Sequence, residues 1–410
     1  MKMMVYYEIK KVFSKTSNKI AVLLILGLLG LMIGFSVHVQ YINEEGNMEY
    51  GISAAHKLKE MKKEWAGQLT EERLKEAIEE NARIQATPEA RSRDIQQNNI
   101  AYSKRQGLLD IRSMIANSYS GFQEYDYYMI DYLKPEDAGR FYSNRTESLK
   151  EWLASSGAEQ FSEKEKQFLI KQYEDMKVPL KYDDFTGWYQ AAYNMPVIIM
   201  LMCLIFGFLL AGIFSNETKL KADSIFFSAY HGRRQGVMAK LAAGLVIVTG
   251  IYWVVMLAYS VIVLGALGTD GADCMIQISL GGWKSFYNIT FLQRHLFILF
   301  GGYLGTLFIA LLTMLVSAKT KSAVISVMIP FILLFIPSFL AGGDNHFLNQ
   351  LLAVLPDRLM MLEEVVKTFS LMEIGGKVTG TLRILFPVYT VLSVVCCPVI
   401  YQVYRRAEVK

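Results

Sequence analysis

Histidines and cysteines are the residues of this chain that could bind a metal or act as nucleophiles, and their spacing supports neither role. No two histidines have the His-x-x-x-His spacing that holds zinc on one helix face, and the five are scattered: His38, His56, His231, His295 and His346. Three cysteines fall in apolar runs and one in a short loop: Cys203, Cys396, Cys397 and Cys274. We therefore predict no catalytic residue, no metal site and no disulfide framework.

A phosphate-binding loop is also missing from the sequence. Such a loop has the pattern G-x-x-x-x-G-K-[ST], in which backbone amides cradle the phosphates. The nearest stretch, Gly375-Gly376-Lys377, lacks the leading glycine. We predict that the chain is not an enzyme, that it holds no cofactor, and that it cannot hydrolyse ATP alone.

The residues best suited to binding lie in one segment, Phe214 to Lys240, which reads FSNETKLKADSIFFSAYHGRRQGVMAK. An acid at its start can begin a helix, because carboxylates stabilise the first turn. An apolar patch and two arginines follow, and protein interfaces concentrate aromatic and arginine side chains. The candidate binding residues are Glu217, Ile225, Phe226, Phe227, Arg233 and Arg234. Alternatively, the apolar patch dips into lipid headgroups and the arginines only fix the topology.

Six apolar runs must position this segment. A helix of roughly 20 residues crosses the hydrocarbon core of a bilayer, and helices satisfy their own backbone groups there. None of the runs contains Asp, Glu, Lys or Arg; they are Ile20–Val39, Pro196–Phe214, Leu241–Leu267, Leu296–Val316, Ala323–Leu340 and Ile384–Tyr404. We predict an all-α membrane protein with six transmembrane helices. The lack of these four residue types in the runs disfavours a carrier coupled to protons or ions.

Charge is distributed unevenly around these runs. If the runs cross the membrane in alternation, 15 Lys and Arg residues lie on the side of the termini, and the short loops of the other side hold six. The positive-inside rule then places both termini in the cytoplasm, in a multi-pass protein of the plasma membrane. The 41–193 segment, with 21 basic and 27 acidic residues, would lie outside. Its net −6 suits a cationic antimicrobial peptide as cargo or ligand, and is also an ordinary solubilising charge.

The start of the chain is expected to be an amphipathic helix on the inner membrane surface. Within 1–19, Val5, Ile9, Val12 and Phe13 fall on one helical face and lysines on the other. The alternative is a solvated start of the first span. We predict that this span, at 20–40, is an uncleaved anchor rather than a signal peptide, because no small-x-small cleavage site follows it.

The 41–193 segment is predicted to be a large, mostly helical extracytoplasmic domain between the first two spans. An apolar stripe over Lys57–Ile84, a proline-led start at Thr87–Glu89 and a capping box at Ser162–Glu165 indicate helices. Aromatic residues then lead into the second span, and they favour either an interfacial belt or a docking surface for an amphipathic ligand: Tyr182, Phe185, Trp188, Tyr189 and Tyr193.

Together these features resemble the membrane (permease) subunit of type-2 ATP-binding-cassette exporters. The resemblance covers both ends of the chain and residues 194–410, but not the 41–193 domain. It is carried by the lysine-rich first helix, the coupling loop 215–240, Leu355-Pro356 and the amphipathic helix Arg358–Phe369 in the outer loop 341–383, and the exit Tyr404-Arg405-Arg406. It implies that Glu217 to Arg234 form a coupling helix that seats in a groove of the ATPase.

The resemblance also implies a function. The chain would be the permease subunit of an exporter that moves an amphipathic peptide, antimicrobial or lipid-like molecule out of the cell. Its partners would be an ATP-binding-cassette ATPase that binds ATP and Mg²⁺, a second or related permease copy, and membrane lipids, but no nucleic acid. One alternative is a sensor or scaffold that binds a ligand through 41–193. The other is an ion-extruding permease, which acidic residues in the spans would have favoured.

Overall fold

The computed structural model describes residues 1–230, 232–340 and 346–406, and these are predominantly helical. Six helices are long and apolar enough to cross a membrane: Thr16–Ser36, Thr186–Leu210, Gly232–Leu267, Phe291–Thr320, Ala323–Leu340 and Leu382–Arg405. The predicted all-α class and the count of six membrane helices are therefore confirmed for the described residues. The second helix begins at Thr186 rather than at Pro196, and the proline lies inside it.

The helices alternate with short connections, two small hairpins and one pair of short strands that lie far apart in the sequence. The first nine helices are α1 (Lys2–Phe13), α2 (Thr16–Ser36), α3 (Ile52–Lys63), α4 (Glu71–Gln85), α5 (Pro88–Arg91), α6 (Ile95–Arg105), α7 (Leu109–Tyr119), α8 (Phe141–Ala154) and α9 (Glu163–Glu174). The others are α10 (Thr186–Leu210), α11 (Asn216–Lys219), α12 (Asp223–Ser228), α13 (Val237–Leu267), α14 (Phe291–Thr320), α15 (Ala323–Leu340), α16 (His346–Leu352), α17 (Asp357–Met360), α18 (Leu362–Val365) and α19 (Leu382–Arg405). The antiparallel strand pairs are β1 (Gln40–Ile42) with β2 (Met48–Tyr50), β3 (Gly67–Gln68) with β4 (Lys181–Tyr182), and β5 (Leu371–Ile374) with β6 (Lys377–Gly380).

Helix α14 lies at the centre of the membrane helices, which are α2, α10, α13, α14, α15 and α19. It is the most buried of the six, whereas α2, α15 and α19 are the least buried. Glycine allows its close approach to α10, because a Cβ at Gly302 would lie 2.5 Å from Cδ1 of Ile199. We call the end of the bundle that carries 41–185 the domain end, and the end that carries α1 and α11 the terminal end.

The polar domain, which we define as 41–185, has helix starts at Thr87 and Ser162 as predicted. The side chains of Thr70, Thr87 and Ser162 accept hydrogen bonds from backbone amides in the first turns of α4, α5 and α9. The Lys57–Ile84 stretch, whose apolar stripe indicates helical structure, does not form one continuous helix. It is α3 and α4, separated by strand β3, because Leu69 is drawn into the core and its amide pairs with the carbonyl of Leu180.

The domain also extends beyond the 41–193 segment. The Arg145 guanidinium donates to the backbone carbonyls of Trp283 (3.0 Å) and Ser285 (2.8 Å), in the α13–α14 connection. The hydroxyl of Tyr173 donates to the carbonyl of Lys284 at 2.5 Å. The predicted boundary at 193 therefore needs correction, because α10 starts at Thr186 and the α13–α14 connection packs into the same fold.

Aromatic residues before and within α10 are mostly interior. Tyr182, Phe185 and Trp188 are buried, and the Phe185 ring stacks on Phe291 at 4.7 Å between centroids. Only Tyr193 is largely exposed, while Tyr189 is half-buried. For the three buried rings, both predicted roles are wrong. Phe185 and Trp188 pack on α14, and the Tyr182 hydroxyl donates to Asp110 of α7.

The segment between α15 and α19 packs against the side of α14. The predicted amphipathic helix Arg358–Phe369 is replaced by the short helices α17 and α18. These two helices lie close to α14. A Cβ at Gly301 of α14 would be 2.2 Å from Cδ1 of Leu362, and one at Gly305 would be 3.0 Å from Cβ of Leu359. The start of the predicted outer loop, 341–345, lies outside the described residues.

The Gly375-Gly376 pair closes the β5–β6 hairpin. Both residues have positive φ, 58° and 79°, which the primed two-residue turns of hairpins require. This structural requirement accounts for the glycines that resemble part of a phosphate loop in the sequence.

Asp357 at the start of α17 should make stability depend on pH. Burial raises the pKa of this carboxyl from 3.8 to about 6, because nearby Arg358 only partly offsets the loss of water. The folded state therefore binds the proton more tightly than the unfolded state, and stability should fall as pH rises from about 4 to about 6. We expect Asp357→Asn to remove this fall and to stabilise the protein at pH 7.5 by about 2–3 kcal/mol.

The measurement for Asp357 is thermal unfolding of the purified protein between pH 4 and pH 8. Replacing the exposed Asp175 with Asn provides the control and should leave the pH profile as it is. An unchanged profile in Asp357→Asn would contradict the assignment.

Candidate functional site

The segment that joins α10 to α13 contains all the residues predicted to bind a partner. The predicted continuous coupling helix from Glu217 to Arg234 is wrong, because the chain forms α11, α12 and a π-helical turn at Gly232–Gly236. Lys221 separates α11 from α12 with φ at 53°, in the left-handed region, and Ala229 ends α12 in an extended conformation. The segment is therefore a compact folded turn at the terminal end.

Glu217 lies at the centre of a partly buried ionic cluster, which we define as Glu8, Lys11, Glu217 and Lys240. Its carboxylate accepts a hydrogen bond from Lys11 of α1 and another, at 2.7 Å, from Lys240 of α13. Lys240 is fully buried, donates to the carbonyl of Ile213 at 3.0 Å and pairs with Glu8 at 3.1 Å. Charges from three helices thus neutralise one another. Lys240 and Glu217 are shielded from water, whereas the side chains of Glu8 and Lys11 stay partly exposed.

The pKa directions in this cluster follow from its pairing. Burial alone would raise the pKa of Glu217, but Lys240 and Lys11 outweigh it and bring the pKa below its ordinary 4.5. Burial alone would likewise lower the pKa of Lys11, and the facing Glu217 carboxylate raises it instead. Both groups are therefore charged at neutral pH, and Glu217 holds α11 against α1 and α13.

Phe227 also faces the interior. It is buried, with its ring 5.3 Å from that of Tyr404 in α19, and the Arg233 guanidinium lies 4.8 Å above its face. Phe226 is half-buried and 6.1 Å from the same tyrosine ring. These rings therefore attach α12 to the last membrane helix.

The remaining predicted residues form an exposed surface, which we call the turn surface. Ile225 is 73% exposed, and both arginines are exposed as well, with Arg233 donating to the carbonyl of Arg405 at 2.9 Å. Leu220, between α11 and α12, is 69% exposed. The six predicted residues thus divide into a buried attachment (Glu217, Phe227), a half-buried ring (Phe226) and an exposed part (Ile225, Arg233, Arg234).

Sequence reasoning missed the partners of Glu217. The signal was present as lysines and acids beside helix ends, namely Glu8, Lys11 and Lys240, but their pairing depends on the packing of α1 against α13.

Across the described ranges, no three His, Cys, Asp or Glu side chains are grouped to hold a metal ion. The chemistry that the turn surface can support is therefore contact with another macromolecule through apolar and guanidinium groups.

No protein-family model matches this chain, and no curated protein matches it significantly.

Proposed function

We propose that this chain is the permease subunit of an ATP-driven exporter of the type-2 ATP-binding-cassette class, which moves an amphipathic substrate out of the cell. The observation that carries the proposal is the turn surface. It combines an exposed apolar side chain, Ile225, with two exposed arginines, Arg233 and Arg234, in the π-helical turn that begins the third membrane helix. An ATP-binding-cassette ATPase, with ATP and Mg²⁺, is the partner that we propose for it.

The attachment of the turn surface supports transmission of force. Phe227 connects α12 to α19, and Glu217 connects α11 to α1 and α13. A partner that pushes on α12 would therefore displace two membrane helices and the first helix together. The folded turn would act as a rigid attachment rather than as a flexible loop.

The orientation is part of the proposal. The 15 basic residues that flank the terminal end, against six in the short loops at the domain end, support a cytoplasmic location for both termini and the turn surface. The polar domain would then be extracytoplasmic, in the plasma membrane.

A second permease copy, or a related subunit, fits the peripheral membrane helices. A groove of about 560 Å³, apolar except for Ser17, runs between α2, α10 and α15, with Ile20, Phe208 and Phe331 in its walls. Facing another copy would cover this groove, and lipid chains would cover it in a single subunit.

Paired charges at the helix ends give the ion-extruding alternative no support. Lys240 and Arg294 lie in the first turns of α13 and α14, and each is neutralised by an acid, Glu217 and Glu363 respectively. The sensor alternative has one observation in its favour, an aromatic cleft between the polar domain and the α16–α18 segment. If no ATPase is found to bind the chain, the sensor alternative remains.

We expect Ile225→Asp to weaken binding of the ATPase by more than tenfold. An apolar anchor at an interface contributes about 2 kcal/mol or more, and each 1.4 kcal/mol corresponds to tenfold. The measurement is purification of the tagged full chain from its native membranes, with mass spectrometry for a chain that carries a G-x-x-x-x-G-K-[ST] loop and an assay of ATP hydrolysis.

The matched control is Ile95→Asp, since Ile95 is 76% exposed on α6 of the polar domain. It should retain the ATPase at the unmodified level. Equal retention by Ile225→Asp would reject the turn surface as the partner site, and ATP hydrolysis by the isolated chain would reject the proposed division of labour.

A further inference from the structure

A cleft of about 550 Å³ separates the polar domain from the α16–α18 segment. Its walls include Phe122 and Trp152 of the domain, Phe369 after α18, and Lys284 of the α13–α14 connection. It continues past Phe161 and Phe369 into a neighbouring cavity of about 790 Å³. The volume falls within the range of sites that enclose small organic molecules.

Four aromatic rings form one continuous wall of this cleft. The Phe122 ring stacks on Trp152 at 4.8 Å and lies 5.9 Å from Phe369. Phe161 meets Trp152 edge-on at 5.8 Å. Such a wall offers contact area to an apolar body with little loss of side-chain entropy on binding.

The charged groups of the cleft are mostly basic. Its lining has Lys284, Arg358 and Lys367 against a single acid, Glu364. Lys367 is already paired with Glu363 at 2.9 Å and with Glu364 at 3.4 Å. In the part of the chain that the structure describes, Arg358 uses only its Nε, with the carbonyl of Leu352 at 3.3 Å and Asp357 at 3.7 Å.

Lys284 is the cation without an acidic neighbour. Its Nζ lies 5.3 Å from the centroid of Phe122, and no carboxylate in the described residues reaches ion-pair distance. Burial lowers the pKa of this ammonium, with no nearby negative charge to offset it. An anion placed in the cleft would supply that charge.

We propose that this cleft binds a phosphate-bearing, lipid-like amphiphile, with its phosphate on Lys284 and Arg358 and its apolar body along the aromatic wall. A lysine supplies a point charge to phosphate, and the planar fork of an arginine matches two phosphate oxygens. The proposal names a ligand class for the proposed export function and so rests on it. It also favours an anionic ligand over the cationic peptide that the net charge of the domain suggests.

The test uses the purified full chain in phosphatidylcholine nanodiscs, without an ATPase and with empty nanodiscs as background. Dodecyl phosphate is titrated by calorimetry, beside dodecyl maltoside and dodecyltrimethylammonium, which carry the same tail with neutral and cationic headgroups, and beside inorganic phosphate. We expect dodecyl phosphate to bind at least tenfold more tightly than the other three probes, and more weakly as salt is added.

Lys284→Gln should abolish the preference for dodecyl phosphate, and Lys284→Arg should retain it. Lys150→Gln is the matched control. Lys150 lies on α8, two residues before Trp152, where its side chain is exposed and pairs with Glu174. If Lys284→Gln does not fold, the salt dependence and the comparison of headgroups with the unmodified chain decide the question.

Equal affinity for the three dodecyl probes would overturn the proposal, as would an unchanged preference in Lys284→Gln. Inorganic phosphate that binds as tightly as dodecyl phosphate would overturn the amphiphile in favour of a simple anion. Because no ATPase is present in this test, a negative result would reject the ligand without bearing on the ATPase binding that Ile225→Asp tests.

Discussion

Replacing Lys240 with methionine should destabilise the protein by about 3–5 kcal/mol, because removing one partner of a buried ion pair leaves the other charge uncompensated. Lys240 is fully buried, and Glu217 opposite it is 4% exposed. The variant would leave Glu217 with Lys11 alone and would remove the donor to the carbonyl of Ile213. The measurement is thermal or denaturant unfolding of the purified protein in detergent.

Two further variants separate the charge effect from the loss of a lysine. Lys219→Met removes an exposed lysine from α11 and should change stability by less than about 0.5 kcal/mol. The double variant Glu217→Gln with Lys240→Met should recover much of the loss, since replacing a whole buried pair is often close to neutral. A single variant as stable as the unmodified chain would show that the cluster is hydrated rather than buried.

Glu363→Ala at the domain end should also cost about 3–5 kcal/mol. Glu363 faces Arg294 at 3.3 Å, both side chains are nearly inaccessible, and in the described residues Glu363 is the only acid paired with this arginine. The variant would leave the guanidinium buried without a counter-ion and would release α18 from α14. Unfolding in detergent measures the stability, and protease cleavage within 357–381 should become faster.

Glu364→Ala is the control for this variant. Glu364 is the next residue along α18, its side chain is 57% exposed, and its ion pair with Lys367 at 3.4 Å is a surface contact. Such pairs contribute about 0–1 kcal/mol. If both alanine variants unfold alike, the Arg294–Glu363 contact does not hold the α17–α18 segment in place.

The elements that the sequence predicts well are those governed by local physics. A run such as Ala323–Leu340 is long, apolar and free of charge, and the helix α15 has the same bounds. Likewise, Ser162 and Glu165 form the reciprocal hydrogen bonds of a capping box, since both partners lie within one turn. Little information from distant residues is needed in either case.

The features that the sequence could not provide depend on residues far apart in the chain. The Lys11–Glu217 contact joins positions separated by 206 residues, and the Arg145–Ser285 contact joins positions separated by 140. No periodicity or motif encodes such pairings. The same limit explains why the domain boundary was placed at 193 and why Phe185 was expected to face the membrane surface.

The candidate site shows both outcomes within one segment. Composition marks 215–240 as a candidate binding segment, and Ile225 is exposed, as a binding residue must be. It could not distinguish Phe226 from Phe227, because only the position of Tyr404 in α19 decides which ring is buried. The role of the 215–240 segment in binding an ATPase remains a prediction.

The way in which the polar domain is completed by later parts of the chain has a practical consequence for fragment studies. A piece cut at 41–193 would lack the carbonyls that receive Arg145, and Trp283, which packs on Phe141 at 5.0 Å, would be missing. Its Trp152 and Phe122 rings would lose Phe369 and face solvent. Such a fragment would expose an aromatic surface that favours aggregation, and its Arg145 would lack hydrogen-bond acceptors. Antibodies, crystallisation trials and ligand screens are therefore better directed at the intact chain.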